Sequence, residues 1–324
     1  MRQFNRPNIR LPTLVGIETK YGDGRKSGGD GRPPDDLWKR PDVMGALYAM
    51  QGRVCAYCEQ KLPESDRGDV EHFRPKSLYR WLAYAFENYL LSCGQCNSTY
   101  KRSRFPLRAG ALAFGFERRH ELAQEQRLLL NPAEDPTEAW LDYDVLDDNG
   151  LCPAVPREGL AGVAAQQVAE TIDFFQLNLR RGLVQSRLET IDLIEKLTDI
   201  EAPDTVEKRR ELMWLASRYS PHSTVARKLL RAVRPEAIPG PADELDLLVE
   251  ELCDELKLVQ RIKATSARVA TLRGWRGLYD EILWALAVLW HAPLAASSKQ
   301  VETWLTERGA VELVAPYRKK LVDL

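Results

Sequence analysis

The chain contains Cys55-Ala56-Tyr57-Cys58 and Cys93-Gly94-Gln95-Cys96, and thirty-four residues separate Cys58 from Cys93. Two residues between the cysteines let one tight turn direct both thiolates at a single metal ion. A simple zinc ribbon separates its pairs by about 15 to 20 residues, so we expect a folded insert between these two. Reduced core thiols and a redox pair are the alternatives. The spacing favours a structural Zn²⁺ site, whose ligands are Cys55, Cys58, Cys93 and Cys96.

The insert and the second cysteine pair have the pattern of two short strands followed by a helix. Residues 68–73 alternate like a strand, which Pro75 ends because proline cannot donate to a strand ladder. Residues 88–92 are typical of a second strand, and residues 94–102 of a helix that begins at the second cysteine pair. The predicted order is strand, strand, helix.

The second half of the chain has the periodicity of helices. Apolar residues recur three and four positions apart from residue 163 onward. The pattern predicts helices at residues 163–178, 180–198, 204–217, 223–233, 242–265, 275–290 and 299–307. A short helix is also predicted at residues 41–50, and a glycine-rich loop at 22–36. The predicted fold class is mainly α, with a zinc-stapled finger in the N-terminal half and a C-terminal helical bundle.

Composition and charge limit the class of protein. Hydrophobic residues make up 44% and charged residues 29% of the 324, which is typical of a globular chain and excludes global disorder. The longest apolar run, residues 282–290, is too short to span a bilayer, and the first residues do not resemble a signal peptide. We therefore expect a cytoplasmic protein with no membrane partner.

Polar residues in the insert and directly after the second cysteine pair have the chemistry of phosphodiester hydrolysis. That reaction needs a base to activate water and a divalent cation to neutralise charge on the phosphate. His72 suits the first task because an imidazole titrates near neutral pH. Glu71 and Asn97 offer hard oxygen ligands of the kind that Mg²⁺ and Mn²⁺ prefer. Adjacent strand residues point to opposite faces, so Glu71 and His72 can converge only where the strand ends.

These motifs resemble those of one enzyme family. The chain resembles the HNH endonucleases of the ββα-metal class in Asp69-Val70-Glu71-His72-Phe73-Arg74-Pro75-Lys76, Trp81-Leu82-Ala83-Tyr84, Asn88, and Cys93-Gly94-Gln95-Cys96-Asn97 with Lys101. More narrowly, it is similar to the PtuB-type HNH proteins of Septu and retron anti-phage systems in Cys55-Ala56-Tyr57-Cys58-Glu59 and Phe105-Pro106-Leu107. The resemblance covers roughly residues 1–185, with a weaker part at 171–180.

The resemblance implies a role for each polar residue and a ββα-metal finger as their scaffold. His72 is the general base, Glu71 and Asn97 hold the catalytic Mg²⁺ or Mn²⁺, and Asn88 fixes the loop that orients the histidine. Many members of the family have Asp where this chain has Glu71, and a second metal-binding His where it has Asn97. Asp69, two residues away on the same strand face, is therefore a rival ligand to Glu71.

Basic residues in and after the insert are expected to contact DNA. Nine basic and two acidic residues lie between positions 72 and 119, and such cations bind phosphates without reading bases. The expected phosphate contacts are Arg74, Lys76 and Lys101.

The leading functional hypothesis is a metal-dependent endonuclease that hydrolyses double-stranded DNA as the effector of an anti-phage defence system. The alternative is a non-catalytic zinc-finger subunit that binds nucleic acid and assembles a complex. The resemblance also implies an ABC-type ATPase partner, PtuA-like, within a hetero-oligomer. We expect an HNH nuclease domain with an N-terminal extension at residues 1–160, its core at 50–110, and a helical domain at 161–324 that docks the partner.

Overall fold

The computed structural model describes residues 1–289 and residue 303, apart from residues 5, 7–10, 12, 15–36, 64–65, 146–149, 200, 202 and 266–268. This part of the chain is mainly helical and contains two small antiparallel sheets. The predicted loop at residues 22–36 lies outside the described residues, as does the predicted helix at 299–307 except for residue 303.

The first cysteine pair follows helix α1 (Pro41–Gln51), which matches the helix predicted at residues 41–50. Its proline occupies the first turn, where the missing backbone N–H would have had no partner within the helix. The helix ends at Gly52, whose positive φ of 64° suits glycine and whose N–H donates to the Tyr48 carbonyl oxygen at 2.7 Å.

The insert contains the two predicted strands, and the predicted helix follows them at the second cysteine pair. Strand β1 (Asp69–His72) pairs antiparallel with strand β2 (Tyr89–Ser92), in a register that sets Glu71 opposite Leu90 and His72 opposite Tyr89. Helix α2 (Gln95–Lys101) has wide π-type turns, and the Arg102 N–H donates to the Asn97 carbonyl oxygen at 2.7 Å. The cysteine pairs thus enclose the sheet, and the helix begins at the second pair.

A second small sheet joins this region to the helical half. Strand β3 (Leu141–Tyr143) pairs antiparallel with strand β4 (Ala154–Pro156). Beyond it, the described chain has six helices at or near the positions predicted from apolar spacing: α3 (Gly162–Phe174), α4 (Arg181–Thr198), α5 (Val206–Ala216), α6 (Ser223–Val233), α7 (Pro241–Thr265) and α8 (Val269–Leu289). Helix α3 ends before its predicted limit, and Gln176 just beyond it has a φ of 48° that no α-helix accepts.

Helix α8 packs against α1, so the end of the described chain completes the core near its beginning. Gly45 makes this close approach possible, because a Cβ atom there would clash with the Trp284 Cβ and lie 2.5 Å from the Glu281 carbonyl oxygen. An ion pair of 3.2 Å between Arg53 and Glu255 ties α7 to the same region. The domain division at residue 160 stays a prediction, and this packing crosses it.

Candidate functional site

A cleft of about 450 Å³ opens beside β1 and α2. Its walls include Glu71 and His72 from the end of β1, Asn97 from α2, and Lys76 from the loop after β1. Asp69, the rival ligand, lines the same cleft. The fold therefore brings to one place residues that the sequence separates by up to 28 positions.

Two further cleft residues, Trp38 and Arg102, were not predicted from the sequence. Trp38 meets the His72 ring edge-on, with the ring centroids 4.9 Å apart, and the Lys76 Nζ lies 3.9 Å from the Trp38 ring centroid. No local pattern links Trp38 to His72, because they are 34 positions apart in the chain. Arg102 belongs to the basic run after Lys101, and that run is the signal that could have identified it.

His72 is 9% exposed, and its Nε2 lies 2.9 Å from the Ala83 carbonyl oxygen. Because a carbonyl oxygen only accepts, Nε2 carries the proton in this bond, and Nδ1 of the neutral ring carries none. Burial lowers the pKa of His72 to about 4, and the bond to Ala83 opposes this shift only in part. At neutral pH the ring is therefore an uncharged imidazole with one basic nitrogen.

Asn88 ties together the two chain segments around His72. Its Oδ1 accepts from the Arg74 backbone N–H at 2.8 Å, and its Nδ2 donates to the Arg74 carbonyl oxygen at 2.9 Å. A third, longer bond of 3.3 Å runs from Nδ2 to the Leu82 carbonyl oxygen, next to Ala83. The amide is buried and thus fixes the loop after β1 against the turn that carries the hydrogen-bond partner of His72.

Glu71 forms a buried ion pair with Lys101. The Lys101 Nζ lies 2.8 Å from Glu71 Oε1 and also donates to the His72 carbonyl oxygen at 3.1 Å. The Tyr57 hydroxyl donates a longer bond of 3.4 Å to the same carboxylate oxygen. Burial raises the pKa of Glu71 above its ordinary value, and the Lys101 ammonium opposes the rise. Lys101, a cation of α2, thus holds the Glu71 carboxylate in place.

Two of the three cations predicted to contact phosphates lie inside the protein. Lys101 is fully buried in its pair with Glu71, and Arg74 is buried with its Nε donating to Glu125 Oε2 at 2.8 Å. These positions do not fit the predicted phosphate contacts, because each cation is enclosed and bound to a carboxylate. Lys76, on the cleft wall, is the predicted cation whose position fits.

The four predicted cysteines converge on one point. Their Sγ atoms all lie within 4.8 Å of one another, and the Sγ atoms of Cys58 and Cys93 are 3.9 Å apart, too far for a disulfide. In the part of the chain that the structure describes, these cysteines are the one cluster of three or more His, Cys, Asp or Glu side chains with convergent donor atoms. Four thiolates in this arrangement can hold Zn²⁺ in tetrahedral geometry.

Arg180 contacts the cysteine cluster from outside. Its Nη1 donates to Cys96 Sγ at 3.2 Å, and its Nη2 donates to Gln95 Oε1 at 2.6 Å. Burial acts to lower the pKa of Arg180, but the Cys58 and Cys96 thiolates more than offset it and hold the pKa above its ordinary value. The residue lies at the end of the weaker part of the HNH resemblance, which was the only sequence signal for it.

Comparison with known proteins supports the motif-based resemblance. The chain is 28% identical to the Septu protein PtuB of Bacillus mycoides (strain KBAB4) over 220 residues, which cover 63% of this chain and 68% of that protein. It is 40% identical over 58 residues to a protein of Vibrio cholerae serotype O1 biovar El Tor named as a candidate HNH endonuclease of retron Vc95; these residues are 17% of the chain and 28% of the relative. These similarities support an HNH-type, PtuB-like protein. The resemblance predicted from the motifs is confirmed.

The PtuB-like chain is also similar to part of a larger Septu protein. It is 27% identical to the PtuA protein of the same Bacillus strain over 143 residues, which are 40% of this chain and 18% of PtuA. The chain thus spans less than a third of PtuA and of the retron protein. No protein-family model matches it, and no solved structure matches it. Within the described residues, every helix is too short or too polar to cross a membrane.

Proposed function

We propose that this PtuB-like chain is a metal-dependent HNH endonuclease that hydrolyses double-stranded DNA as a cytoplasmic effector of anti-phage defence. In this proposal β1, β2 and α2 form the ββα-metal finger. The observation that carries it is His72, an uncharged imidazole on the wall of a cleft that also contains Glu71 and Asn97. The similarity to PtuB and to the retron HNH protein supports the same function.

In the proposed mechanism, His72 is the general base. Its Nε2–H stays bound to the Ala83 carbonyl oxygen, so Nδ1 is the atom that takes a proton from the attacking water. The Ala83 carbonyl then stabilises the imidazolium that forms, while Asn88 keeps this carbonyl in place through its bonds to the neighbouring backbone. A positioned base of this kind contributes about 10² to 10⁴ in rate.

The cleft offers donors that fit a hard divalent cation. Glu71, Asp69 and Asn97 supply oxygen atoms, and Mg²⁺ or Mn²⁺ binds through few protein ligands because it keeps several waters. When bound, the cation would neutralise charge on the scissile phosphate and the leaving oxygen. We assign Glu71 and Asn97 as its ligands. Asp69 stays a rival, although it already pairs with Lys39 at 3.4 Å.

The cysteine cluster fits a structural Zn²⁺ rather than a catalytic one. Four thiolates fill a tetrahedral site and leave no position for water or substrate. The Arg180 guanidinium against Cys96 Sγ supports this assignment, because it balances part of the negative charge of four thiolates on one divalent ion. We therefore assign Zn²⁺ to Cys55, Cys58, Cys93 and Cys96.

DNA phosphates are proposed to meet Lys76 and Arg102 at the cleft wall. The proposed partner is a PtuA-like ATPase in a hetero-oligomer, which the similarity to both Septu proteins supports. Because α8 completes the core beside α1, removal of the helical half would also disturb the cleft. A surface change is therefore the cleaner test of docking: Val206→Asp on α5, where the valine is 72% exposed and lines a cleft of about 510 Å³ with residues of α7, should reduce co-purification with the ATPase. The matched variant Leu112→Asp, at a leucine that is 81% exposed and lies outside the helical domain, should keep the complex.

The experiment that tests the nuclease uses zinc-loaded protein, supercoiled plasmid and Mg²⁺ or Mn²⁺, with and without the ATPase. His72→Ala should lower nicking by about 10² to 10⁴ while DNA affinity and zinc content are retained. The matched variant is His120→Ala, at a histidine with a 73% exposed side chain, and it should cut like the parent. Asn97→Ala should recover part of its activity at higher metal concentration. If His72→Ala nicks as fast as the parent, the chain is better explained as a non-catalytic nucleic-acid-binding subunit.

A further inference from the structure

The ion pair between Glu71 and Lys101 is enclosed by protein at the wall of the cleft. Lys101 is fully buried, Glu71 is 2% exposed, and the Lys101 Nζ lies 2.8 Å from Glu71 Oε1. A second bond of 3.1 Å to the His72 carbonyl oxygen holds the ammonium in place. The negative charge of the buried Glu71 carboxylate is thus already balanced by the Lys101 ammonium.

We propose that Lys101 antagonises the divalent cation at Glu71, so that the protein binds Mg²⁺ or Mn²⁺ weakly until DNA enters the cleft. This inference rests on the proposed function, because it takes Glu71 as a ligand of the catalytic cation. It assigns to Lys101 a regulatory role inside the protein in place of the phosphate contact predicted from the sequence.

The charges explain the antagonism. The Glu71 carboxylate carries one negative charge, and a divalent cation bound to it would lie within a few ångströms of the Lys101 ammonium. Repulsion between close charges is strong away from bulk water, where the effective dielectric constant is about 20 rather than 80. The ammonium is buried and doubly bound, so it cannot move into solvent to relieve the repulsion. Metal binding to the free protein is therefore weakened.

A DNA phosphate supplies the missing negative charge. The same cleft has Lys76 and Arg102 on its wall, where a phosphate would be attracted, and a phosphate oxygen is also a hard ligand for the cation. Metal and DNA then bind with positive coupling, and such coupling is reciprocal. A nuclease with such coupling binds its catalytic cation tightly only when DNA is present.

The test measures Mn²⁺ binding rather than cleavage. Mn²⁺ affinity is determined by electron paramagnetic resonance on zinc-loaded protein without DNA, for the parent, Lys101→Met and Lys39→Met. Lys101→Met should bind Mn²⁺ at least tenfold more tightly than the parent. Lys39→Met is the matched control, because it removes a second lysine–carboxylate pair of the cleft, that of Lys39 with Asp69, at an exposed position where solvent screens the charge. Its Mn²⁺ affinity should stay within about twofold of the parent.

A second arm measures the coupling to DNA. In a His72→Ala background that does not cut, a short duplex should tighten Mn²⁺ binding several-fold when Lys101 is present, and much less in Lys101→Met. Without metal, Lys101→Met should melt at a lower temperature than the parent, because Glu71 is then buried without its partner, and Mn²⁺ should raise its melting temperature more than that of the parent.

The outcomes separate this inference from the proposed function. If Glu71→Gln binds Mn²⁺ as tightly as the parent, Glu71 is not a ligand and the proposed metal site is wrong. If Glu71→Gln weakens Mn²⁺ binding but Lys101→Met leaves it unchanged or weaker, Lys101 only positions Glu71 and the antagonism is refuted. Should Lys101→Met fail to fold, Lys101→Gln replaces it, since its amide can still donate to the carboxylate, and the same tenfold criterion applies.

Discussion

Asn88→Ala should destabilise the protein through two backbone groups that lose their only side-chain partner. The substitution leaves the buried N–H and carbonyl of Arg74 without the bonds of 2.8 Å and 2.9 Å that the amide provides. Each buried polar group left unsatisfied costs about 1 to 3 kcal/mol. The third bond, to Leu82, is long and adds little. We therefore expect the free energy of unfolding to fall by about 3 kcal/mol.

Asn88→Asp is the matched variant, because it keeps the acceptor and shape of the side chain but removes the donor. Its carboxylate would face the Arg74 and Leu82 carbonyl oxygens, so it should be at least as destabilising as the alanine. Urea unfolding followed by fluorescence measures both variants. Nicking under folding conditions should show a lower kcat and a higher KM, since the loop after β1 that Asn88 fixes also carries Lys76, the proposed phosphate contact. A loss of less than about 0.5 kcal/mol for Asn88→Ala would refute the reasoning.

Three further predictions concern packing, zinc and pH. Gly45→Ala should lower the free energy of unfolding by about 3 kcal/mol or prevent folding, because α8 leaves no room for a Cβ. Its control is Gly182→Ala, whose added Cβ would have no atom within 4 Å apart from its chain neighbours and the backbone of its own helix, and which should stabilise α4 slightly in urea unfolding. Cys93→Ser should lose the zinc, about one per chain by elemental analysis of the parent, and unfold the finger, since such binding contributes about 10 kcal/mol or more to folding. Lowering the pH from about 6.5 to 4 should reduce the free energy of unfolding of the parent by up to about 3 kcal/mol, a loss that His72→Phe should not show, because the histidine takes up its proton near pH 6.5 in the unfolded chain but only near pH 4 in the folded protein. If urea unfolding shows the same loss for the parent and for His72→Phe between pH 7 and pH 4.5, the prediction is contradicted.

The helices could be predicted because their apolar residues mark one buried face. Helix α4 was predicted at residues 180–198 and runs from Arg181 to Thr198, with Leu183, Ile191 and Ile194 buried on that face. The cysteine cluster could be predicted because two matched pairs have few physical explanations other than a shared metal ion. In both cases the deciding information lies within a short piece of sequence.

The buried charges could not be predicted, because their partners lie far away in the chain. Arg74 pairs with Glu125, 51 positions later, and no count of local charge reveals that pair. Lys101 is 30 positions from Glu71, and a lysine near the end of a short helix is normally exposed. Basic residues close to a proposed nuclease site were therefore interpreted as DNA contacts, although two of the three are buried in ion pairs with carboxylates.

Helix α2 explains why the cysteine cluster matters to the cleft. It begins at the second cysteine pair, where the Cys96 N–H donates to Cys93 Sγ at 3.4 Å, and it ends at Lys101 beneath Glu71. Asn97, on the cleft wall, follows Cys96 directly. A helix this short has few hydrogen bonds of its own to set its position, so contacts at its two ends do so: the thiolates and Arg180 at its start, and the bonds of Lys101 at its end. Under the proposed function, the structural ion therefore helps to determine how close the amide of Asn97 comes to the catalytic cation, without taking part in the reaction.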